Sequence, residues 1–133
     1  MTADEINAFM REAFPQPGRP VVVSADGKTA LCRLAYGEHQ LRPGGTLSGP
    51  TMMALADTTM YALVLSAIGF KPLAVTTNLS INFLRKPAPT DLLGEARLLK
   101  LGKALAVADV IIRSDEMDDP VAHAVVTYSL PPR

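Results

Sequence analysis

The chain has 133 residues, which is enough for one domain with its own hydrophobic core, and we expect residues 1–133 to form a single domain. Its 13 basic and 13 acidic side chains cancel without any basic run, so neither nucleic acid nor an anionic membrane surface is an expected partner. The one cysteine, Cys32, excludes an internal disulfide, and the acidic start carries no apolar signal segment, which together favour the cytoplasm. His39 and His123 are far apart and no Cys/His cluster occurs, so we predict no metal site.

The first predicted element is a short amphipathic helix near the N-terminus. Apolar residues recur at helical spacing through residues 3–14, and Pro15 ends the pattern. We expect this helix to pack as a lid on a sheet, with substrate gating as the alternative. Two strands at 21–25 and 28–36 then flank an Asp-Gly dipeptide, which is typical of a tight hairpin.

A long apolar helix is predicted at about residues 49–68. Ser48 is a suitable N-cap, Pro50 suits the first turn, and Gly69 is a natural stop. Apolar residues occupy all faces, as in a buried helix, and Asp57 is the only ionisable side chain. A buried carboxylate must be paired, neutralised or held for a purpose. Because Asp57 and the two threonines after it interrupt the apolar run, we do not expect a membrane span.

The remaining segments predict a loop and four strands. Residues 37–47 are expected to be a loop, because the run Arg42-Pro43-Gly44-Gly45 is incompatible with regular structure. Strict alternation predicts a half-buried strand over 73–84. Three more strands are predicted at 92–101, 104–114 and 120–130. The order indicates an α+β fold, an antiparallel sheet with one long helix against it. Such a sheet covers only part of a helix, so we expect a second subunit, most simply in a symmetric dimer.

The start of the long helix and Asp57 suggest two halves of one site. Unpaired N–H groups in a first turn suit an oxygen that gains negative charge, and Gly49 is best placed to offer one. Eight residues of helix separate Gly49 from Asp57 by ~12 Å, too far for one reacting group to touch both. Antiparallel helices across a dimer axis would bring them together. There Asp57 could act as general base or as nucleophile, or it could be structural and hydrogen-bonded to Thr58, Thr59 or the backbone.

Two runs carry a likeness to a known family. The sequences RPGGTLSGPTMMALAD at 42–57 and VTTNLSINFLRKP at 75–87 resemble the hotdog-fold acyl-CoA thioesterases of the PaaI-like, or phenylacetic acid degradation, type. The likeness runs from about Arg33 to Pro131. The helix-opening His-Gly-Gly of the family falls on Ser48, Gly49 and Pro50, and its acidic residue falls on Asp57.

The resemblance implies a hotdog fold, an antiparallel sheet wrapped around the long central helix. It also implies hydrolysis of an acyl-CoA thioester to free acid and CoA by a homodimer or homotetramer, with no cofactor, since CoA is part of the substrate. Gly49 N–H would hold the thioester oxygen, and Asp57 of the partner subunit would activate or supply the nucleophile. A hydroxyl early in the next strand would orient the water; register places it at Thr76, and strand alternation keeps Thr77 as a rival.

Two positions depart from the family pattern. Its histidine is Ser48 here, and the asparagine or glutamine usual six residues earlier is Arg42. Ser48 can still cap the helix and Arg42 can hydrogen-bond a carbonyl, so both remain candidate site residues. For the CoA phosphates the candidates are Arg85, Lys86 and Lys103 at strand ends, with solvated turn charges as the alternative reading. The departures also raise a non-catalytic acyl-CoA binding or sensing protein, while hydratase or dehydratase chemistry normally needs a histidine near the acid.

Overall fold

The structure, a computed structural model, describes residues 1–37, 41, 42 and 46–132. The helices are α1 (Ala3–Ala13) and α2 (Gly49–Ile68). The strands are β1 (Val21–Ala25), β2 (Thr29–Leu34), β3 (Leu41–Arg42), β4 (Thr46–Leu47), β5 (Val75–Phe83), β6 (Leu92–Leu101), β7 (Leu105–Ser114) and β8 (Pro120–Ser129).

One antiparallel sheet of six strands forms the main layer, in the order β1-β2-β6-β7-β8-β5. Helix α2 packs across its inner face and contacts every strand of that sheet. Buried aliphatic side chains of α2, β6, β7 and β8 make up most of the core between them. The predicted α+β hotdog architecture, with a sheet wrapped around a central helix, is therefore confirmed.

Local signals define both ends of α2, as the sequence predicts. Ser48 is the N-cap, and its Oγ accepts a hydrogen bond from Thr51 N at 3.2 Å. Pro50 lies in the first turn, where a missing N–H costs nothing. Gly69 ends the helix at φ 86°, a conformation that glycine adopts without strain.

Helix α1 packs on β1 and on part of α2. Thr2 and Glu5 form a capping box at its start, while Ile6 and Met10 are buried. The Asn7 side chain makes two hydrogen bonds of 2.8 Å with the backbone of Val22, which fixes the helix to β1. The packing role predicted for α1 is confirmed for this part of the helix. Helix α1 therefore adds to the cover that the sheet gives α2.

The short strands β3 and β4 correct the predicted loop. Arg42 lies in β3 and pairs with Thr46 of β4, so this part of residues 37–47 is regular structure. A Pro-Gly-Gly sequence limits where strands end, but it does not prevent the flanking residues from pairing. His39 and the side chain of Arg42 lie outside the described residues.

Strand β5 forms as predicted but is less buried than its alternation suggests. It occupies the edge of the sheet and has β8 as its neighbour on one side. Val75 is 55% exposed and Phe83 is 49% exposed, while Leu79 and Ile81 are half-buried. The predicted half-buried strand over 73–84 is therefore present as Val75–Phe83, with the middle of its apolar face half-buried and its two ends exposed.

Among the described helices, α2 alone has the length and apolar composition that a membrane crossing requires, and half of its most apolar window is buried inside the fold. A core helix of a soluble fold has the same composition, so this is weak evidence for a membrane protein.

Candidate active site

A cleft of about 610 Å³ opens beside Asp57, between the end of α1, the middle of α2 and the adjoining ends of β5 and β8. Apolar and aromatic side chains make up most of its wall. The cleft is lined by Met10, Phe14, Arg19, Pro20, Asp57, Thr58, Tyr61, Pro72, Ala74, Val75, Thr76 and Tyr128. Asp57 is the one carboxylate among them.

Two hydroxyl groups hold the Asp57 side chain by the same oxygen. Thr76 Oγ1 donates to Asp57 Oδ1 at 2.5 Å, and Tyr128 Oη donates to it at 3.1 Å. Tyr128 Oη also lies 3.2 Å from the Asp57 carbonyl oxygen. No donor from the described residues approaches Oδ2, so this oxygen is available to a water or substrate. Asp57 is thus bound by residues other than the Thr58, Thr59 or backbone partners of the structural alternative.

A β-bulge decides which of the two threonines meets Asp57. Thr76 pairs with Tyr128 and Asn78 pairs with Thr127, so Thr77 is the extra residue between them. Bulges change the direction in which a side chain points. Thr76 consequently faces α2, while Thr77 Oγ1 donates to the Thr127 carbonyl at 3.3 Å. Thr76, which the register of the family resemblance predicts, is therefore the hydroxyl beside Asp57. Thr77, which strand alternation predicts, points elsewhere.

Tyr128 is the member of the site that the sequence pattern does not reveal. It is 3% exposed and lies directly opposite Thr76 in the sheet. Burial raises the pKa of Tyr128, so its hydroxyl remains protonated and a donor at neutral pH. Tyr128 is distinguished from its neighbours only once the buried face of β8 is known, because it is the one hydroxyl-bearing side chain in that inward-facing row.

Helix α2 presents Gly49 at its N-terminus. No acceptor in the described part of the chain takes the Gly49 N–H. A Cβ on Gly49 would lie 3.3 Å from the Phe83 ring, so the absence of a side chain also lets Phe83 pack against the helix start. Ser48 Oγ is committed to Thr51, whose backbone N and hydroxyl both contact it. Ser48 therefore acts as a cap and does not reproduce the family's histidine.

The remaining predicted residues are dispersed. His123 is half-buried in β8, at the end of the sheet away from Thr76. Burial raises the pKa of the Cys32 thiol to about 11, which makes it a poor nucleophile at neutral pH. Within the described ranges, no three His, Cys, Asp or Glu side chains are placed to hold a metal ion.

The three candidate CoA-binding cations lie at opposite ends of the sheet. Arg85 and Lys86 follow the end of β5 near Gly49, and Arg85 contacts Asp119 at 3.5 Å. Lys103 lies in the β6–β7 turn, next to residues that pair with the end of β8 near Asp57. The length of β5 puts roughly 25 Å between these ends. One chain therefore does not gather the three cations at a single phosphate.

The fold and the site define the class of protein: a hotdog α+β domain with a carboxylate held beside an apolar cleft. The chain belongs to the Thioesterase superfamily, whose family model matches residues 44–121, more than half of the chain. Membership supports thioester hydrolysis as the general reaction.

Solved structures agree with this assignment. A predicted thioesterase from Silicibacter sp. is 50% identical, with a TM-score of 0.89 over 98% of this chain and 92% of that one. Zebra fish thioesterase superfamily member 2 is 23% identical, with a TM-score of 0.86 over 98% and 99% of the two chains. A Haemophilus influenzae thioesterase is 19% identical, with a TM-score of 0.86 over 99% and 92%. At these lower identities the likeness shows the fold alone. No curated protein matches the chain.

Proposed function

We propose that this protein is an acyl-CoA thioesterase of the PaaI-like type, which hydrolyses an acyl-CoA to free acid and CoA. The observation that carries the proposal is the position of Asp57. Its carboxylate is fixed through Oδ1 by Thr76 and Tyr128, and Oδ2 is left for chemistry at an apolar cleft. A fixed carboxylate with one free oxygen has the geometry that a general base or nucleophile requires.

Two reaction paths use the free oxygen. As general base, Asp57 Oδ2 takes a proton from water while the water oxygen attacks the acyl carbon. The resulting oxyanion accepts a hydrogen bond from a Gly49 N–H. The intermediate then expels the CoA thiolate, which is protonated. As nucleophile, Oδ2 attacks the acyl carbon directly, expels the thiolate and forms an anhydride that water hydrolyses. In both paths Thr76 and Tyr128 position the carboxylate.

The proposal requires a second subunit. Asp57 and Gly49 belong to one continuous helix and lie ~12 Å apart along its axis, so the Gly49 that serves a given Asp57 comes from the partner. Strand β5 supports this arrangement, because it is a nine-residue edge strand without charge or proline. Edge strands of this kind are normally covered, and pairing with a second β5 about a two-fold axis would cover it. We propose a homodimer or a dimer of such dimers, located in the cytoplasm.

The dimer would also gather the cations. An antiparallel pair places the Gly49 end of one chain beside the Asp57 end of the other. Arg85 and Lys86 of one subunit would then lie on the same side as Lys103 of the other, where they could contact the phosphates of one CoA. The Arg85 contact with Asp119 is exposed and weak, so a phosphate can displace it.

A non-catalytic acyl-CoA binding protein is the second candidate. The observation that favours it is the contact of Ser48 Oγ with both the backbone N–H and the hydroxyl of Thr51, so that the residue at the family's histidine position caps the helix. The same cleft and the same cations would serve binding alone.

An assay of CoA release over a panel of acyl-CoAs separates the two candidates. We expect multiple turnovers by the wild type and a loss of kcat of at least about 100-fold in Asp57→Asn, because the variant cannot take a proton or attack. Tight binding without turnover would establish the binding function, and unchanged activity in Asp57→Asn would exclude the mechanism.

A further inference from the structure

The segment made of α1 and the turn that follows it has two parts that differ in how they are held. Its first two turns are anchored through buried Ile6 and Met10, the Asn7 hydrogen bonds to Val22, and an edge-to-face contact of Phe9 with Phe70 at 5.0 Å. Residues 11–18, by contrast, are all exposed.

Phe14 is the residue of this exposed part that lines the cleft. Its ring is 47% exposed and meets Tyr61 edge to face, with ring centroids 6.4 Å apart. Tyr61 in turn lies 6.1 Å from Tyr128, which holds Asp57. Three aromatic rings therefore form a continuous wall from the outer end of the cleft to the carboxylate.

Arg19 holds Phe14 in this position. Its Nη1 donates to the main-chain carbonyl oxygen of Phe14 at 2.8 Å, which closes the turn after α1. Because this contact is made to the main chain, it does not depend on which side chain occupies position 14. Arg19 therefore positions the base of the Phe14 side chain.

The chemistry of the cleft suits an acyl group and does not suit the CoA arm. Arg19 is the one cation among its lining residues, and the hydroxyls of Thr76 and Tyr128 are bonded to Asp57. Pantetheine amides and phosphates need polar partners along their length. The candidate phosphate-binding cations Arg85, Lys86 and Lys103 lie outside the cleft.

We infer that Phe14, positioned by Arg19, is the stop against which the far end of the acyl group packs, and that it limits acyl length. This inference rests on the proposed function, since it assumes that the thioester lies at Asp57.

The test compares Phe14→Ala with Phe70→Ala over straight-chain acyl-CoAs from butyryl to palmitoyl. Phe70 is the matched control, because it is also an exposed ring that packs edge to face on an aromatic side chain, yet it lies outside the cleft. We expect Phe14→Ala to raise kcat/KM for longer chains relative to shorter ones by roughly tenfold, the scale of hydrophobic-pocket discrimination. Phe70→Ala should keep the wild-type preference.

Two results would overturn the inference. An unchanged chain-length preference in an active Phe14→Ala would show that the ring does not meet the acyl end. If Phe14→Ala changed kcat/KM by the same factor for every acyl-CoA and also changed the affinity for free CoA, the CoA arm would lie in the cleft. Calorimetric titration with non-hydrolysable alkyl-CoA thioethers of the same lengths gives a readout that does not need turnover. A length-dependent affinity change in Phe14→Ala without any hydrolysis would therefore sustain this inference while rejecting the proposed function.

Discussion

At the residue scale, the site depends on which side chains touch one oxygen of Asp57. The sequence singles out Asp57 because it is the only charge on an otherwise apolar helix, and helical spacing shows that Gly49 is too far away within one chain. The sequence could not choose between Thr76 and Thr77, since a bulge is set by how β5 meets β8 and leaves no local signal. Tyr128 escaped detection for a related reason: its contact with Asp57 spans 71 residues of sequence.

The two threonines offer a matched pair for a prediction. Thr76→Val removes a hydroxyl that donates to Asp57, and Thr77→Val removes one that donates to a main-chain carbonyl. Because hydrogen bonds to charged groups contribute about 1.5–3 kcal/mol, we expect Thr76→Val to lower kcat by about tenfold or more. Thr77→Val should stay within about twofold of the wild type, the usual effect of a surface change.

The measurement is kcat and KM with the best acyl-CoA, together with a thermal melt for each variant. A fall in kcat with similar melting temperatures in the two variants would establish a positioning role for Thr76. Equal kinetic effects in both variants would mean that the bond between Thr76 and Asp57 does not contribute to the reaction.

At the element scale, the sequence predicts where α2 begins and ends but not how closely it packs against the sheet. Ser48, Pro50 and Gly69 act locally, so the sequence alone defines α2 within a residue at each end. The strand boundaries were also close, because turn residues mark them. What the sequence does not show is how near α2 comes to the sheet, since that distance depends on side chains from distant segments.

Gly94 in β6 shows how close this approach is. A Cβ at Gly94 would lie 2.5 Å from Thr59 Oγ1 and 3.2 Å from Leu55 Cγ, both of which are on α2. Thr59 is fully buried and its hydroxyl is already bonded to the Leu55 carbonyl at 2.7 Å, so it has little freedom to move. Glycine at position 94 is therefore a condition for the helix to sit against the sheet.

We expect Gly94→Ala to lower the free energy of unfolding by about 1–3 kcal/mol through overpacking. Gly102→Ala is the control, because the nearest atom to its added methyl, Leu105 O, is 3.4 Å away, an ordinary contact distance. Urea unfolding followed by circular dichroism measures both. A Gly94→Ala variant as stable as Gly102→Ala would mean that the helix can shift away from β6 at little cost.

At the scale of the whole molecule, one chain holds both halves of the proposed site but not at one place. Asp57, Thr76 and Tyr128 meet at one end of the sheet. The Gly49 N–H lies at the start of α2, two turns of helix away from Asp57. The exposed side chains of β5 and Met53, which is 42% exposed on the first turns of α2, mark the surface that a partner would cover. The sequence predicted this division from the rise of the helix alone.

A hybrid dimer tests the division directly. Asp57→Asn removes the carboxylate, and Gly49→Pro removes the N–H donor. Ser48 has the extended backbone that suits a residue before proline, while position 49 itself precedes Pro50, where any Cβ, including that of alanine, crowds the helical backbone. Gly49→Ala is the matched control, because it makes the same contact with Phe83 but keeps the N–H. We expect Gly49→Pro to lose most activity and Gly49→Ala to keep most of it.

The two inactive chains are then co-expressed with different affinity tags, and hybrids are isolated by two successive purifications. If each site takes Asp57 from one subunit and Gly49 from the other, one of the two sites in every hybrid is intact and the other carries both substitutions. A symmetric dimer then predicts about half of the wild-type kcat per dimer, although neither parent is active. Hybrids no more active than the parents would show that Asp57 and Gly49 do not act together across the interface.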